Sequence, residues 1–196
     1  MSNKIKLIFF DFDGTLCPIS GDHILFEKEF IEFLKKKYSL DEITKKKRKE
    51  IKETMSHEEW ENLKREARKL WMKTFEIPSE IKDSLTKLKN NFRLIIFSVA
   101  SKKYIHEILE NNNLDHLIFD KIYSTRDDFE GELSKEPWMF KEIAKREGLE
   151  TSECAHIGDQ EYNDYLNSKE AGFRAFLVDN GQPKPVKISE LDKFLN

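Results

Sequence analysis

Short apolar runs that alternate with helix-like segments are the feature that most limits how this chain can fold. The runs are four to six residues long and lie at 5–10, 92–97, 121–124, 154–157 and 174–178. Between them come segments with helical capping or spacing, beginning at Pro78 and Ser101 and covering about 136–147 and 162–170. Strands that alternate with helices are typical of a parallel α/β sheet with helices on both faces.

The block 22–75 differs from the rest of the chain because it shows no strand pattern. Three helices are predicted there, over 24–38, over 41–54 and from Ser56, where Glu59 completes a capping box. The third helix carries an apolar stripe at helical spacing, made of Trp60, Leu63, Ala67, Leu70, Trp71 and Phe75. We expect a helical domain over 17–77, inserted into an α/β core formed by 1–16 and 78–196. A closing helix is expected over 189–195.

Composition narrows the classes of function. The 196 residues contain 34 Lys and Arg against 37 Asp and Glu, and a net charge of −3 gives no general reason to expect a nucleic-acid partner. The local excess of basic residues at 35–54 is interpreted as a solvated helix face. No apolar run approaches the roughly 20 residues that span a bilayer. Two cysteines and the lack of a secretory signal favour a reducing, cytoplasmic location.

Polar side chains follow three of the predicted strands at the point where each strand ends. Asp11 and Asp13 follow the first strand, Ser98 follows the strand at 92–97, and Asp159 follows the strand at 154–157. Ligands of parallel α/β sheets bind at the carboxyl ends of the strands. We therefore expect residues that are distant in sequence to meet at one edge of the sheet.

The residue types at this edge indicate a particular chemistry. Asp11, Asp13, Asp159 and Asp164 would repel one another strongly if they were dry and unpaired, and a Mg²⁺ ion with phosphate oxygens would relieve that repulsion. A carboxylate beside Mg²⁺ can attack phosphorus, and a second acid can protonate the leaving alcohol and later activate water. Ser98 can donate a hydrogen bond to a phosphate oxygen, and Lys135 can supply a positive charge.

The chain resembles the haloacid dehalogenase (HAD) superfamily of hydrolases, of the phosphatase type with a helical C1-type cap. The resemblance rests on four motifs in order: DFDGT at 11–15, Ser98 after an apolar strand, Lys135 at a helix start, and GDQEYND at 158–164. It covers nearly the whole chain, with the helical block in the position of the cap. Two departures are Val99-Ala100 after Ser98, and Glu136 between Lys135 and Pro137. The resemblance implies a Rossmann-like α/β core.

The resemblance also implies a role for each motif residue. Asp11 would be the nucleophile and Asp13 the general acid/base. Asp11, the backbone carbonyl of Asp13, and Asp159 would hold Mg²⁺. Asp164 would support the metal-bound waters or Lys135, while Ser98 and Lys135 would bind the transferring phosphoryl group. The acid at position 13 favours phosphate chemistry over carbon–halogen cleavage.

The function expected from these motifs is Mg²⁺-dependent hydrolysis of a small phosphorylated metabolite through an aspartyl-phosphate. Two alternatives stay open on the same core. One is a phosphotransferase of the sugar-phosphate mutase kind, and the other is a phosphate-binding protein without catalysis. The identity of the substrate and the oligomeric state do not follow from the sequence.

Overall fold

The computed structural model describes residues 4–17, 23–114, 118–178 and 187–188. Five parallel strands form one sheet in the order β3-β2-β1-β4-β5. The strands are β1 (Leu7–Phe10), β2 (Arg93–Ser98), β3 (Lys121–Ser124), β4 (Cys154–Gly158) and β5 (Arg174–Leu177). Every predicted strand is present, so the prediction of a parallel α/β sheet is confirmed. The predicted closing helix at 189–195 lies outside the described residues.

Eight α-helices are present among the described residues. They are α1 (His23–Tyr38), α2 (Lys45–Glu53), α3 (His57–Met72), α4 (Ser79–Lys89), α5 (Lys102–Asn111), α6 (Thr125–Asp128), α7 (Pro137–Arg146) and α8 (Asn167–Glu170). The chain divides into two compact units, a core unit of Met1–Ser20 with Glu76–Asn196 and a helical unit of Gly21–Phe75. None of the described helices is both long enough and apolar enough to cross a membrane.

The helical unit is built from α1, α2 and α3. The predicted capping box is confirmed, because Ser56 accepts from the Glu59 backbone and Glu59 accepts from the Ser56 backbone. Helix α2 begins at Lys45 rather than at 41, since the Thr44 side chain caps it. The stripe prediction is wrong at Leu70, which is 50% exposed. Near the carboxyl end of α3, Met72 is buried instead of Leu70.

Aromatic rings fill the core between the sheet and its helices. Phe9 of β1 meets Phe173 with ring centroids 4.8 Å apart, and Phe97 of β2 meets Phe140 of α7 at 5.0 Å. All four rings are buried. Edge-to-face pairs of this kind add to the stabilisation from burial alone. This packing fixes β1 and β2 beneath the loops that follow them.

The three central strands end at the same level. Phe10 of β1 is in register with Ile96 of β2 and with Ile157 of β4. The backbone N–H of Asp11 donates to the carbonyl of Ile157 at 2.8 Å, so sheet pairing continues one residue past β1. The residues that leave β1, β2 and β4 therefore enter the same region.

Candidate active site

The loop after β1 turns sharply and brings Asp11 and Asp13 to the sheet edge. Asp11 is buried, whereas Asp13 is only partly covered. The turn is closed by the Gly14 N–H, which donates to the Cys17 carbonyl at 2.7 Å. Gly14 has a φ of 81°, and a Cβ there would lie 2.4 Å from Asp159 Oδ2. Glycine is therefore required both by the backbone conformation and by the close approach of Asp159.

Lys135 lies at the centre of the site. Its ammonium nitrogen is 2.5 Å from Asp11 Oδ1 and 2.5 Å from Asp164 Oδ1, and its side chain is only 2% exposed. Lys135 precedes helix α7 by one residue, Glu136, rather than lying within its first turn. The side-chain amide of Asn167 donates to the Lys135 carbonyl at 2.7 Å and holds the loop in place.

Asp164 is held from several sides by the segment that follows β4. Its Oδ1 accepts from His156 Nε2 at 3.0 Å as well as from Lys135, and its Oδ2 accepts from the Gln160 backbone at 3.0 Å. The helix predicted over 162–170 is present, and its first part, Glu161–Leu166, is a wider π-helical turn. Gly158 makes room for Asp164, since a Cβ at this position would lie 2.2 Å from Asp164 Cγ.

Three carboxylates form the acidic cluster of this site. Asp11, Asp159 and Asp164 each offer one oxygen, and these oxygens lie within 4.8 Å of one another. The Thr15 hydroxyl reaches Asp159 Oδ1 at 3.4 Å. The structure thus brings together Asp11 and Asp159, two of the predicted metal ligands, and adds Asp164 to the group. Clustered carboxylate oxygens of this kind are ligands for a hard divalent cation.

Charge and burial act against each other within the cluster. Burial raises the pKa of Asp11, Lys135 opposes this effect, and the Asp164 carboxylate adds to it. Burial disfavours the charged form of Lys135, but the charges of Asp11 and Asp164 raise its pKa overall. For Asp164, burial is outweighed by Lys135 and His156, which together lower its pKa. Lys135 and Asp164 are therefore ionised at neutral pH.

His156 is a site residue that sequence reasoning placed only within the predicted strand at 154–157. Its side chain is fully buried, and burial lowers its pKa despite the hydrogen bond to Asp164. A neutral imidazole donates to the carboxylate through Nε2, which leaves Nδ1 as the unprotonated nitrogen. Nδ1 has no hydrogen-bond partner among the residues that the structure describes. The signal in the sequence was a polar ring within an otherwise apolar strand.

Ser98 and Asp13 each accept a hydrogen bond from the segment that follows β2. Ser98 is fully buried, and its hydroxyl oxygen accepts from the Ala100 N–H at 3.2 Å. Helix α5 itself is capped by Ser101, as predicted. The Tyr104 hydroxyl donates to Asp13 Oδ1 at 2.8 Å. Sequence reasoning placed Tyr104 only within the helical segment that begins at Ser101.

The fold and the site together define a Rossmann-like α/β protein whose acidic residues meet at the carboxyl ends of the central strands. The family described as haloacid dehalogenase-like hydrolase matches residues 8–178, and the chain belongs to this family. The family assignment made from the four sequence motifs is therefore confirmed. No curated protein sequence matches the chain.

Solved structures of the same family show the same fold. A 2-haloacid dehalogenase from Pseudomonas syringae pv. Tomato DC3000 is 18% identical, with a TM-score of 0.70 and coverage of 98% of both chains. A haloacid dehalogenase-like family hydrolase from Streptococcus pneumoniae is 19% identical (TM-score 0.64, 98% of this chain and 99% of that chain). A family enzyme from Bacteroides thetaiotaomicron, solved with magnesium and inorganic phosphate, is 22% identical (TM-score 0.61, 91% and 96%).

Proposed function

We propose that this protein is a Mg²⁺-dependent phosphatase that hydrolyses a small phosphorylated metabolite through an aspartyl-phosphate on Asp11. The observation that carries the proposal is the buried Asp11 carboxylate, which contacts the Lys135 ammonium and lies beside the carboxylates of Asp159 and Asp164. Membership in a hydrolase family agrees with it.

The donor set fits magnesium. The acidic cluster offers only oxygen atoms and contains three carboxylates against the one ammonium of Lys135. Asp11, Asp159 and the backbone carbonyl of Asp13 would hold the ion, because both oxygens of Asp164 already accept hydrogen bonds. When bound, Mg²⁺ would neutralise charge on the transferring phosphoryl group. The magnesium and phosphate in the Bacteroides thetaiotaomicron enzyme support this assignment.

The protein groups then divide the chemistry into two steps. In the first, an Asp11 oxygen bonds to phosphorus, the ester P–O bond breaks, and a proton passes from Asp13 to the departing alcohol oxygen. In the second, Asp13 takes a proton from water as the water oxygen bonds to phosphorus and the bond between phosphorus and the Asp11 oxygen breaks, which releases inorganic phosphate and restores the Asp11 carboxylate. The Ser98 hydroxyl and the Lys135 ammonium would donate to phosphoryl oxygens.

A small substrate is favoured by the order of elements along the chain. The helical unit Gly21–Phe75 is inserted directly after the loop that carries Asp11 and Asp13. We assign it the role of a cap, with 17–77 as the cap and 1–16 with 78–196 as the catalytic core. A cap restricts access by large molecules and excludes water from the reaction. A chain with only two cysteines, Cys17 and Cys154, both buried, is in keeping with a cytoplasmic location.

An Asp11→Asn variant tests the proposal. Wild-type protein and variant are assayed with Mg²⁺ on a panel of phosphorylated sugars, nucleotides and small acids. Loss of the nucleophile should lower turnover by at least about 10³-fold. The matched control is Asp83→Asn, which removes an exposed carboxylate from α4 and should leave turnover unchanged.

Two further measurements separate the alternatives. Mass spectrometry of acid-quenched wild-type protein should show a phosphoryl group on Asp11. Turnover retained in Asp11→Asn would remove the mechanism. A strict requirement for a bisphosphate activator would indicate phosphotransfer, and Mg²⁺-dependent phosphate binding without turnover would indicate a non-catalytic protein.

A further inference from the structure

Tyr104 makes a long-range contact with the residue assigned as general acid/base. Its hydroxyl donates to Asp13 Oδ1 at 2.8 Å across 91 positions of sequence. Neither burial nor helical packing requires this bond, because both side chains are only partly buried. From this geometry we propose that Tyr104 is a positioning residue that orients the Asp13 carboxyl for proton transfer, an inference that rests on the proposed function.

The Tyr104 side chain is itself held in place. Tyr104 lies in the first turn of α5, where its backbone N–H donates to the capping Ser101 hydroxyl at 3.4 Å. Its ring meets the buried ring of Phe12 edge-to-face, with centroids 6.0 Å apart. Phe12 is the chain neighbour of both Asp11 and Asp13. The loop after β1 therefore carries both Asp13, the proton donor, and Phe12, the ring that packs against Tyr104.

The hydrogen bond favours one oxygen of Asp13 as the carrier of the transferable proton. The carbonyl oxygen of a protonated carboxyl is a better acceptor than its hydroxyl oxygen, so a phenol that donates to Oδ1 favours the proton on Oδ2. Oδ2 is thus the atom that gives a proton to the departing alcohol and later takes one from water. Loss of the Tyr104 hydroxyl would remove one restraint on the partly exposed Asp13 carboxyl, so that fewer of its orientations would lead to transfer.

A neutral donor suits this position better than a charged one. The acidic cluster beside it already contains a buried lysine, and a second ammonium would compete with a divalent cation for the carboxylates. Tyrosine orients Asp13 without adding charge. It also presents a flat, rigid ring, so little conformational freedom is lost when the bond forms.

Tyr104→Phe tests the inference because it removes the hydroxyl and keeps the ring against Phe12. The probes are phenyl phosphate, whose leaving phenolate needs a proton, and p-nitrophenyl phosphate, whose leaving group departs without one. The measured quantity is kcat/KM, which includes steps only as far as leaving-group departure. We expect kcat/KM to fall about 10-fold on phenyl phosphate and less than about 2-fold on p-nitrophenyl phosphate.

The ratio of the two values is insensitive to partial unfolding, since an inactive fraction lowers both equally. Tyr123→Phe is the matched control, because it removes a phenol that donates to a different carboxylate, Glu147 Oε1, at 2.6 Å. Its ratio should equal that of the wild type. Equal losses on both esters in Tyr104→Phe, or no loss on either, would overturn the inference and leave the proposed function standing. Absence of turnover in the wild type on all esters would overturn both.

Discussion

Replacing Lys135 by Met removes the positive charge at the centre of the acidic cluster and keeps a side chain of similar length. Lys135 is 2% exposed and contacts two carboxylates at 2.5 Å, those of Asp11 and Asp164. Removing one partner of a buried ion pair typically costs about 3–5 kcal/mol, because the remaining charge is left buried without compensation. For a chain of this size that corresponds to a fall in Tm of roughly 6–20 °C.

The assay is urea and thermal unfolding followed by circular dichroism. Lys6→Met is the matched control, since the Lys6–Glu153 pair has a similar distance of 2.6 Å but a lysine that is 56% exposed. Solvent screens an exposed pair, so Lys6→Met should change the free energy of unfolding far less than Lys135→Met does. A second substitution, Asp164→Asn, should recover part of the stability of Lys135→Met because it removes one of the uncompensated charges.

The loss of stability in Lys135→Met should depend on pH. Burial already raises the pKa of Asp11, and loss of Lys135 raises it further. A carboxyl with a raised pKa in the folded state costs stability above that pKa, and protonation relieves the cost as the pH falls. The gap in stability between wild type and Lys135→Met should therefore narrow from pH 7 towards pH 5. A loss below 1 kcal/mol at pH 7, or a gap that widens on acidification, would refute the reasoning.

Two other sites give predictions of different kinds. Gly14→Ala should weaken Mg²⁺ activation strongly, because the added Cβ would displace Asp159. Gly131→Ala is the matched control, since Gly131 also has a positive φ, of 84°, but a Cβ there would meet no atom within 4 Å. This control should cost about 1 kcal/mol of stability and leave the Mg²⁺ titration unchanged. Burial of the Glu147 side chain acts to raise its pKa, but hydrogen bonds from Lys121, Tyr123 and Arg93 lower this pKa below 4.5. The stability that Glu147 provides is therefore present above pH 4.5 and is lost as the pH falls through its pKa in the folded state. Glu147→Gln should show a shallower loss of stability between pH 5 and pH 3 in urea unfolding, and an unchanged slope would contradict this assignment.

The sequence was sufficient to predict the sheet and the meeting of its acidic residues. The polar residues that follow parallel strands lie at the same edge of the sheet. Asp11, after β1, and Asp159, after β4, could therefore be expected near one another. The capping box at Ser56 was equally local, because both partners lie within one helical turn. These features depend on spacing that a single sequence displays.

The remaining features depend on contacts between elements that are far apart in the chain. The π-helical turn at Glu161–Leu166 arises where Asp164 is held by Lys135 and His156, and helical periodicity carries no trace of those contacts. The bond from Tyr104 to Asp13 likewise joins a helix to a distant loop. The exposure of Leu70 was missed because periodicity identifies an apolar stripe on a helix but does not show which of its residues are packed against other elements.

The central position of β1 has a consequence for synthesis on the ribosome. Asp11 emerges early, but Lys135 follows 124 residues later, and the second neighbour of β1, Cys154–Gly158, emerges later still. A nascent chain that has paired β1 with β2 leaves the opposite edge of β1 open, and an open apolar edge invites pairing with other chains. Translation that stalls before residue 135 therefore leaves a chaperone substrate in which β1 lacks its second neighbour and Asp11 also lacks the Lys135 counter-ion.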